Sequence, residues 1–181
     1  MRGPAEPLSL SSSDFELLVK GILDRAAGTL VDYQSDHHGV LNGTDGDYVI
    51  DIVATFSALG AKFVVLVECK HHTRKIERQE VQVLHSKLQS LGAHKGMLFS
   101  VSGFQSGAVE YAEAHGIALV EVVTGISNWH TRGAGPPTPP PPWVHIPKYI
   151  GWLRRGDRRS LLSEDHGDYA REFLGFEKSE T

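Results

Sequence analysis

The 181-residue chain has one cysteine, Cys69, so no intrachain disulfide can form and a disulfide-stapled scaffold is excluded. A lone thiol suits a reducing, cytoplasmic setting. No apolar run approaches the roughly 18 residues that cross a bilayer, so no membrane partner is expected. Met1–Ser13 lacks the basic flank and apolar core of a secretory signal. An excess of positive charge is also missing: the net charge is −4. The basic footprint common among nucleic-acid-binding proteins is therefore absent. That absence decides little, because a centre that holds metal must itself carry carboxylates.

Apolar residues make up 40% of the chain, enough for the core of one domain of ordinary size. Ser13–Ala27 reads as an amphipathic helix, with Phe15, Leu18, Val19, Ile22, Leu23 and Ala26 at helical spacing. Ser13 and Glu16 stand at capping-box spacing, and Gly28 is a natural stop. Three strand-like runs follow, Thr29–Asp36, Asp47–Phe56 and Lys62–Lys70, with a turn-rich stretch over Gly39–Gly46. A second helix is predicted over about Arg78–Leu91. Gly96–Val101 reads as a buried strand, Gln105–His115 as a helix and Ile117–Val123 as a last strand. The order is αβββαβαβ, an early meander followed by parallel pairing.

The texture changes after residue 124. Residues 1–12 read as an N-terminal tail and 13–124 as the folded domain. Residues 125–142 form a Pro/Gly-rich linker containing GAGPPTPPPP, and 143–181 a C-terminal extension expected to stand apart from the core. That extension carries Arg154, Arg155, Arg158 and Arg159, a cluster suited either to phosphate or to packing on the core or on a partner subunit.

The chemistry concentrates in two strands. In FVVLVECK, alternation puts Val64, Leu66, Glu68 and Lys70 on one side, and Phe63, Val65, Val67 and Cys69 on the other. Both sides are apolar until the end, where a Glu and a Lys appear together. Burying such charges is unfavourable unless they are paired or bind metal. In DYVIDIVATF, Asp51 is a lone acid amid apolar residues, with Val49, Asp51 and Val53 expected on one face and Ile50 and Ile52 on the other. Sixteen residues separate Asp51 from Glu68, so neighbouring strands would bring them together. Two carboxylates with water and phosphate oxygens suit Mg²⁺, with Mn²⁺ able to substitute. A lysine beside them can hold the attacking water or offset transition-state charge. The bland alternative makes Glu68 and Lys70 a solvated strand end and Asp51 a turn residue.

The segments GDYVIDIVATF, VVLVECK and GAHKGMLFSVSGFQSGAVEYAEAHGIALV, with the helix that begins FELL, are together similar to the Mrr-type restriction endonuclease domain of the PD-(D/E)XK nuclease superfamily. The resemblance spans about Asp14–Val123. It implies an α/β fold, a mixed sheet flanked by helices. It also implies hydrolysis of DNA phosphodiester bonds, with Asp51 and Glu68 binding the metal and Lys70 assisting. Many members carry a glutamate on the first helix near the metal, which would give Glu16 a catalytic place beside its capping reading. It points to restriction of foreign DNA and, since both strands must be cut, to a homodimer. A repair or junction-resolving nuclease on the same fold, or a catalytically idle module of a larger defence complex, are the alternatives.

The loop after Lys70 offers His72, Arg74 and Lys75 to DNA phosphates, and Gln82 on the following helix could join them; a solvated loop and an exposed helix polar residue are the plain readings. His37 and His38 could suggest zinc, yet no Cys/His set completes a site. Cys69 is expected to be a core thiol.

Overall fold

The computed structural model describes residues 8–28, 30–125, 146–155 and 158–163. The first helix, α1, spans Ser12–Ala26 and buries Phe15, Val19, Ile22 and Leu23. Its cap is Ser11, whose hydroxyl accepts from the Asp14 amide at 3.1 Å while the Asp14 carboxylate turns back to Ser11. The expected capping pair, Ser13 with Glu16, is therefore displaced by two residues. The same three-residue spacing is met earlier in the chain, which leaves the Glu16 side chain for other partners.

β1 (Val31–Asn42), β2 (Asp47–Ala58) and β3 (Ala61–Lys70) form the antiparallel meander. β3 then pairs in parallel with β4 (Lys95–Ser100), and β4 with β5 (Ala118–Thr124). Helices α2 (Arg78–Leu91) and α3 (Ser106–Ala114) make the crossings. Gly92, at φ 58°, closes α2 in the left-handed conformation that a residue with a side chain rarely adopts. The expected αβββαβαβ order is present, and the sheet flanked by helices is that of a restriction-endonuclease-like fold.

Two features depart from expectation. β1 runs on through the stretch expected to be turn, because its pairing with β2 continues from Gly39↔Ile50 to Asn42↔Asp47. Gly39 permits this: a Cβ there would come within 2.6 Å of Val53 Cγ2. The sheet also does not stop at β5. β6 (Tyr149–Arg155) and β7 (Arg158–Leu162) add two antiparallel strands in the order β1-β2-β3-β4-β5-β6-β7. Ile150, Leu153 and Leu162 are buried. This part of the extension thus joins the core, since its apolar residues cover the edge that β5 would otherwise expose. The proline-rich run and residues 164–181 lie outside the described residues.

The sheet is covered on both faces. On one, α1 packs over Ile52, Phe56, Val65, Val67, Phe99 and Val120. On the other, α2 and α3 pack over Leu66, Leu98 and Leu119. Each such side chain contributes roughly 1.5–3 kcal/mol on burial. Ile50 and Ile52, expected on a common face, separate: Ile52 joins the α1 side and Ile50 the α2–α3 side. β2 pairs with β3 from Ile52 to Ala58, so its first half follows β1 instead and the alternation breaks at Asp51. No described helix is long and apolar enough to cross a membrane.

Candidate active site

Asp51 stands at the fork where β2 leaves β3. The last paired residues are Ile52 and Val67, which puts Asp51 across from Glu68. The Cys69 amide donates to Asp51 Oδ2 at 2.7 Å, so backbone that β2 no longer pairs is used to orient the carboxylate. Glu68 is 6% exposed. Its Oε2 accepts from the Lys70 ammonium at 3.2 Å and its Oε1 from Lys87, on α2, at 2.6 Å. Alternation on β3 holds as expected: Glu68 and Lys70 emerge on the α2 side, and Cys69 packs on the α1 side.

The electrostatics follow from this crowding. Burial raises the Asp51 carboxyl above its ordinary range; the Cys69 amide and Lys70 oppose the rise, and the charges of Glu68 and Glu16 add to it. Burial pulls Lys70 down, but attraction to Glu68 and the hydrogen bond to it outweigh that, and the ammonium is held above its usual value. Burial pushes the Cys69 thiol up, as do the neighbouring acids, which disfavours the thiolate form.

The donor set fits a hard divalent cation. Two carboxylates at one fork offer oxygen ligands, and the Asp51 pKa, raised chiefly by burial, marks a carboxylate short of solvation that a bound cation would offset. Lys87 occupies Glu68 Oε1 and would have to yield it or share it. The spacing of Lys87 from Leu84, three residues along the buried side of α2, was the available sign that this lysine points at the sheet.

The remaining expected residues lie further out. Glu16, on α1, turns its Oε2 to His37 at 2.7 Å and His38 at 2.8 Å, near enough to Asp51 for its charge to be felt there. His72 Nε2 lies 3.2 Å from Glu80, and Arg74 reaches Glu80 at 3.1 Å and Glu77 at 3.4 Å. These two residues brace the loop onto the start of α2 instead of meeting Asp51 or Glu68. Lys75 and Gln82 are exposed. In the β6–β7 hairpin, Arg159 lies 3.9 Å from Glu121 of β5, and the Nε of Arg154 is buried with no hydrogen-bond partner.

Residues 8–124 match the family described as restriction endonuclease, Mrr_cat. Over 115 residues the chain is 31% identical to the type IV methyl-directed restriction enzyme EcoKMrr of Escherichia coli strain K12. The match takes in 63% of this chain and 36% of that enzyme, so the chain spans little more than a third of its relative. A crystal structure of a protein of unknown function, AF1548, is similar at a TM-score of 0.48 and 17% identity, over 60% of this chain and 56% of that one.

Proposed function

Since the chain belongs to the restriction endonuclease family, we propose that it hydrolyses DNA phosphodiester bonds at Asp51, Glu68 and Lys70 with a divalent metal ion, in defence against foreign DNA. The observation that carries this reading is the convergence of two carboxylates and a lysine at the fork of β2 and β3, inside otherwise apolar strands. Asp51 and Glu68 would hold the ion, with Mg²⁺ suited to an all-oxygen set and Mn²⁺ able to replace it. Bound there, it would supply charge stabilisation and a more acidic water.

The chain's own groups do the rest. The Cys69 amide fixes the plane of Asp51. Lys70, kept cationic by Glu68, would offer its charge to the phosphate. Water attacks phosphorus and gives up a proton to solvent, the bond to the leaving sugar oxygen breaks and that oxygen takes a proton from solvent, and the Lys70 ammonium offsets the charge that builds on the phosphoryl oxygens. Glu16 contributes negative charge beside Asp51. Lys75 and Gln82, both exposed, are free to meet the DNA backbone, whereas His72 and Arg74 would first have to leave Glu80. Cutting both strands calls for two such centres, hence a homodimer or a partner subunit.

The test compares wild type, Lys70→Ala and Asp51→Ala on plasmid DNA, methylated and unmethylated, with Mg²⁺, Mn²⁺ or EDTA. Methylated DNA belongs in the set because the relative is named methyl-directed. Cleavage by wild type should need the metal. Lys70→Ala should keep metal binding by calorimetry and lose cleavage roughly a hundredfold or more; Asp51→Ala should lose both. Near wild-type cleavage by purified Lys70→Ala removes the assignment.

A further inference from the structure

His37 and His38 are consecutive residues of β1, and consecutive strand residues ordinarily point to opposite faces. Here they do not. His38 has φ 54°, a left-handed conformation that histidine tolerates better than most side chains but that still costs energy. The kink brings both rings to one side. They stack with centroids 3.9 Å apart, and each presents Nε2 to the same oxygen, Glu16 Oε2, at 2.7 and 2.8 Å. One ligand atom from each of the three residues lies within 4.8 Å of the others.

Hydrogen bonding to Glu16 does not by itself require a strained backbone. Two imidazole nitrogens and a carboxylate drawn to one point make, instead, a three-ligand metal set. We propose that Glu16, His37 and His38 bind a divalent transition-metal ion of the Zn²⁺ class. Imidazole nitrogen favours such ions over Mg²⁺ and Ca²⁺, which take oxygen. Metal–ligand bonds of about 2.0–2.2 Å in a tetrahedron put ligand atoms roughly 3.3 Å apart. The observed contacts need to open by about half an ångström, well within side-chain rotation, as the ion replaces the shared protons. Three protein ligands leave a fourth position for water or a ligand oxygen.

The placement gives the site a neighbour. The β1–β2 register runs Asp36↔Val53, His37↔Ile52, Gly39↔Ile50, so His38 falls across from Asp51. The ion would therefore sit at the rim of the Asp51–Glu68 fork with different ligands. It stands whether or not that fork carries out hydrolysis.

The full chain is tested by equilibrium dialysis against Zn²⁺ in a large excess of Mg²⁺, which occupies oxygen-ligand sites. Visible absorption with Co²⁺ as the probe is measured alongside. Wild type should retain one Zn²⁺ per chain and give tetrahedral Co²⁺ bands. Asp51→Asn should do the same. His37→Gln and His38→Gln keep a hydrogen-bond donor toward Glu16, and each should weaken Zn²⁺ binding beyond the roughly ten- to hundredfold that loss of an outer partner costs. Should either variant fail to fold, imidazole NMR shifts of wild type on adding Zn²⁺ decide: His37 and His38 must move first. The proposal is overturned if Mg²⁺ displaces the Zn²⁺ from wild type, if the folded Gln variants bind as wild type does, or if other histidines respond in place of this pair.

Discussion

Lys87, on α2, places its ammonium 2.6 Å from Oε1 of Glu68, nineteen residues earlier on β3. With Lys70 on the other oxygen, the buried carboxylate is neutralised from two elements, and the fork is tied to the helix above it. Removing one partner of a buried pair is strongly destabilising, by about 3–5 kcal/mol, because the other charge is left behind. Lys87 is partly exposed, so the lower end applies. Lys87→Met should melt well below wild type in EDTA, and Mg²⁺ should restore much of the loss by replacing the missing charge at Glu68. Equal melting temperatures in EDTA would show that the contact contributes nothing.

A second prediction concerns Asp51. Its pKa is raised on folding, chiefly by burial, so the folded state prefers the protonated acid. Stability is then lost as the pH rises from the ordinary value of 3.8 through the raised one. Asn is close in shape and retains an acceptor for the Cys69 amide. Asp51→Asn should therefore be more stable than wild type at neutral pH in EDTA, and Mg²⁺ should raise the melting temperature of wild type alone. A variant that melts lower in EDTA contradicts the account.

Asp24 behaves in the opposite sense. Burial raises its pKa, but the bonds from Lys20, Ser35 and Tyr33 outweigh it, and the net shift is downward. The bonds from Tyr33 and Ser35 tie α1 to β1. Their contribution is present above 3.8 and is lost as the pH falls through the depressed folded value. Asp24→Asn should be less stable than wild type at pH 7 by on the order of 1 kcal/mol, screening by solvent being allowed for. The difference should close in strong acid. Denaturant unfolding of both proteins across the pH range measures it; a gap that persists unchanged in strong acid would mean that charge is not its origin.

The strand pair outside the expected core, β6 and β7, gives a further prediction. A chain ending at Gly125 leaves the β5 edge open and removes Ile150, Leu153 and Leu162. Three buried aliphatic side chains at roughly 1.5–3 kcal/mol each are a large part of a total near 5–15 kcal/mol. The truncated protein should aggregate or lose its cooperative transition. A sharp melt within a few degrees of the full chain would show that β6 and β7 are dispensable.

How much of this was legible beforehand depended on contrast. Asp51, Glu68 and Lys70 stand out because they interrupt apolar strands, and the pairing of β2 with β3 puts them together. Helix α2 was legible to the residue, since Val81, Leu84 and Leu88 repeat at helical spacing and Gly92 ends it. The end of β1 was not, because glycine, asparagine and aspartate between Gly39 and Gly46 favour turns until tertiary pairing overrides them. β6 was hidden for a related reason: YIGWLRR mixes glycine and arginine into a short run beyond a proline-rich stretch. Nothing local says that Leu153 reaches the core beside Val120. The Glu16–His37–His38 cluster needed the kink at His38, which no periodicity announces.

The order of strands across the sheet has a bearing on assembly. Neighbours in space, from β1 to β7, are neighbours along the chain. No strand must be inserted later between two already paired, unlike a sheet that winds outward from its middle. Each new strand finds its partner in the one just completed, with at most one helix between them in the stretch from β1 to β5. The search for each pairing is therefore short, and loop closure is kept inexpensive. The fork that gathers Asp51, Glu68 and Lys70 needs only the local pairing of β2 with β3; of its partners, only Lys87 comes from a later element, α2.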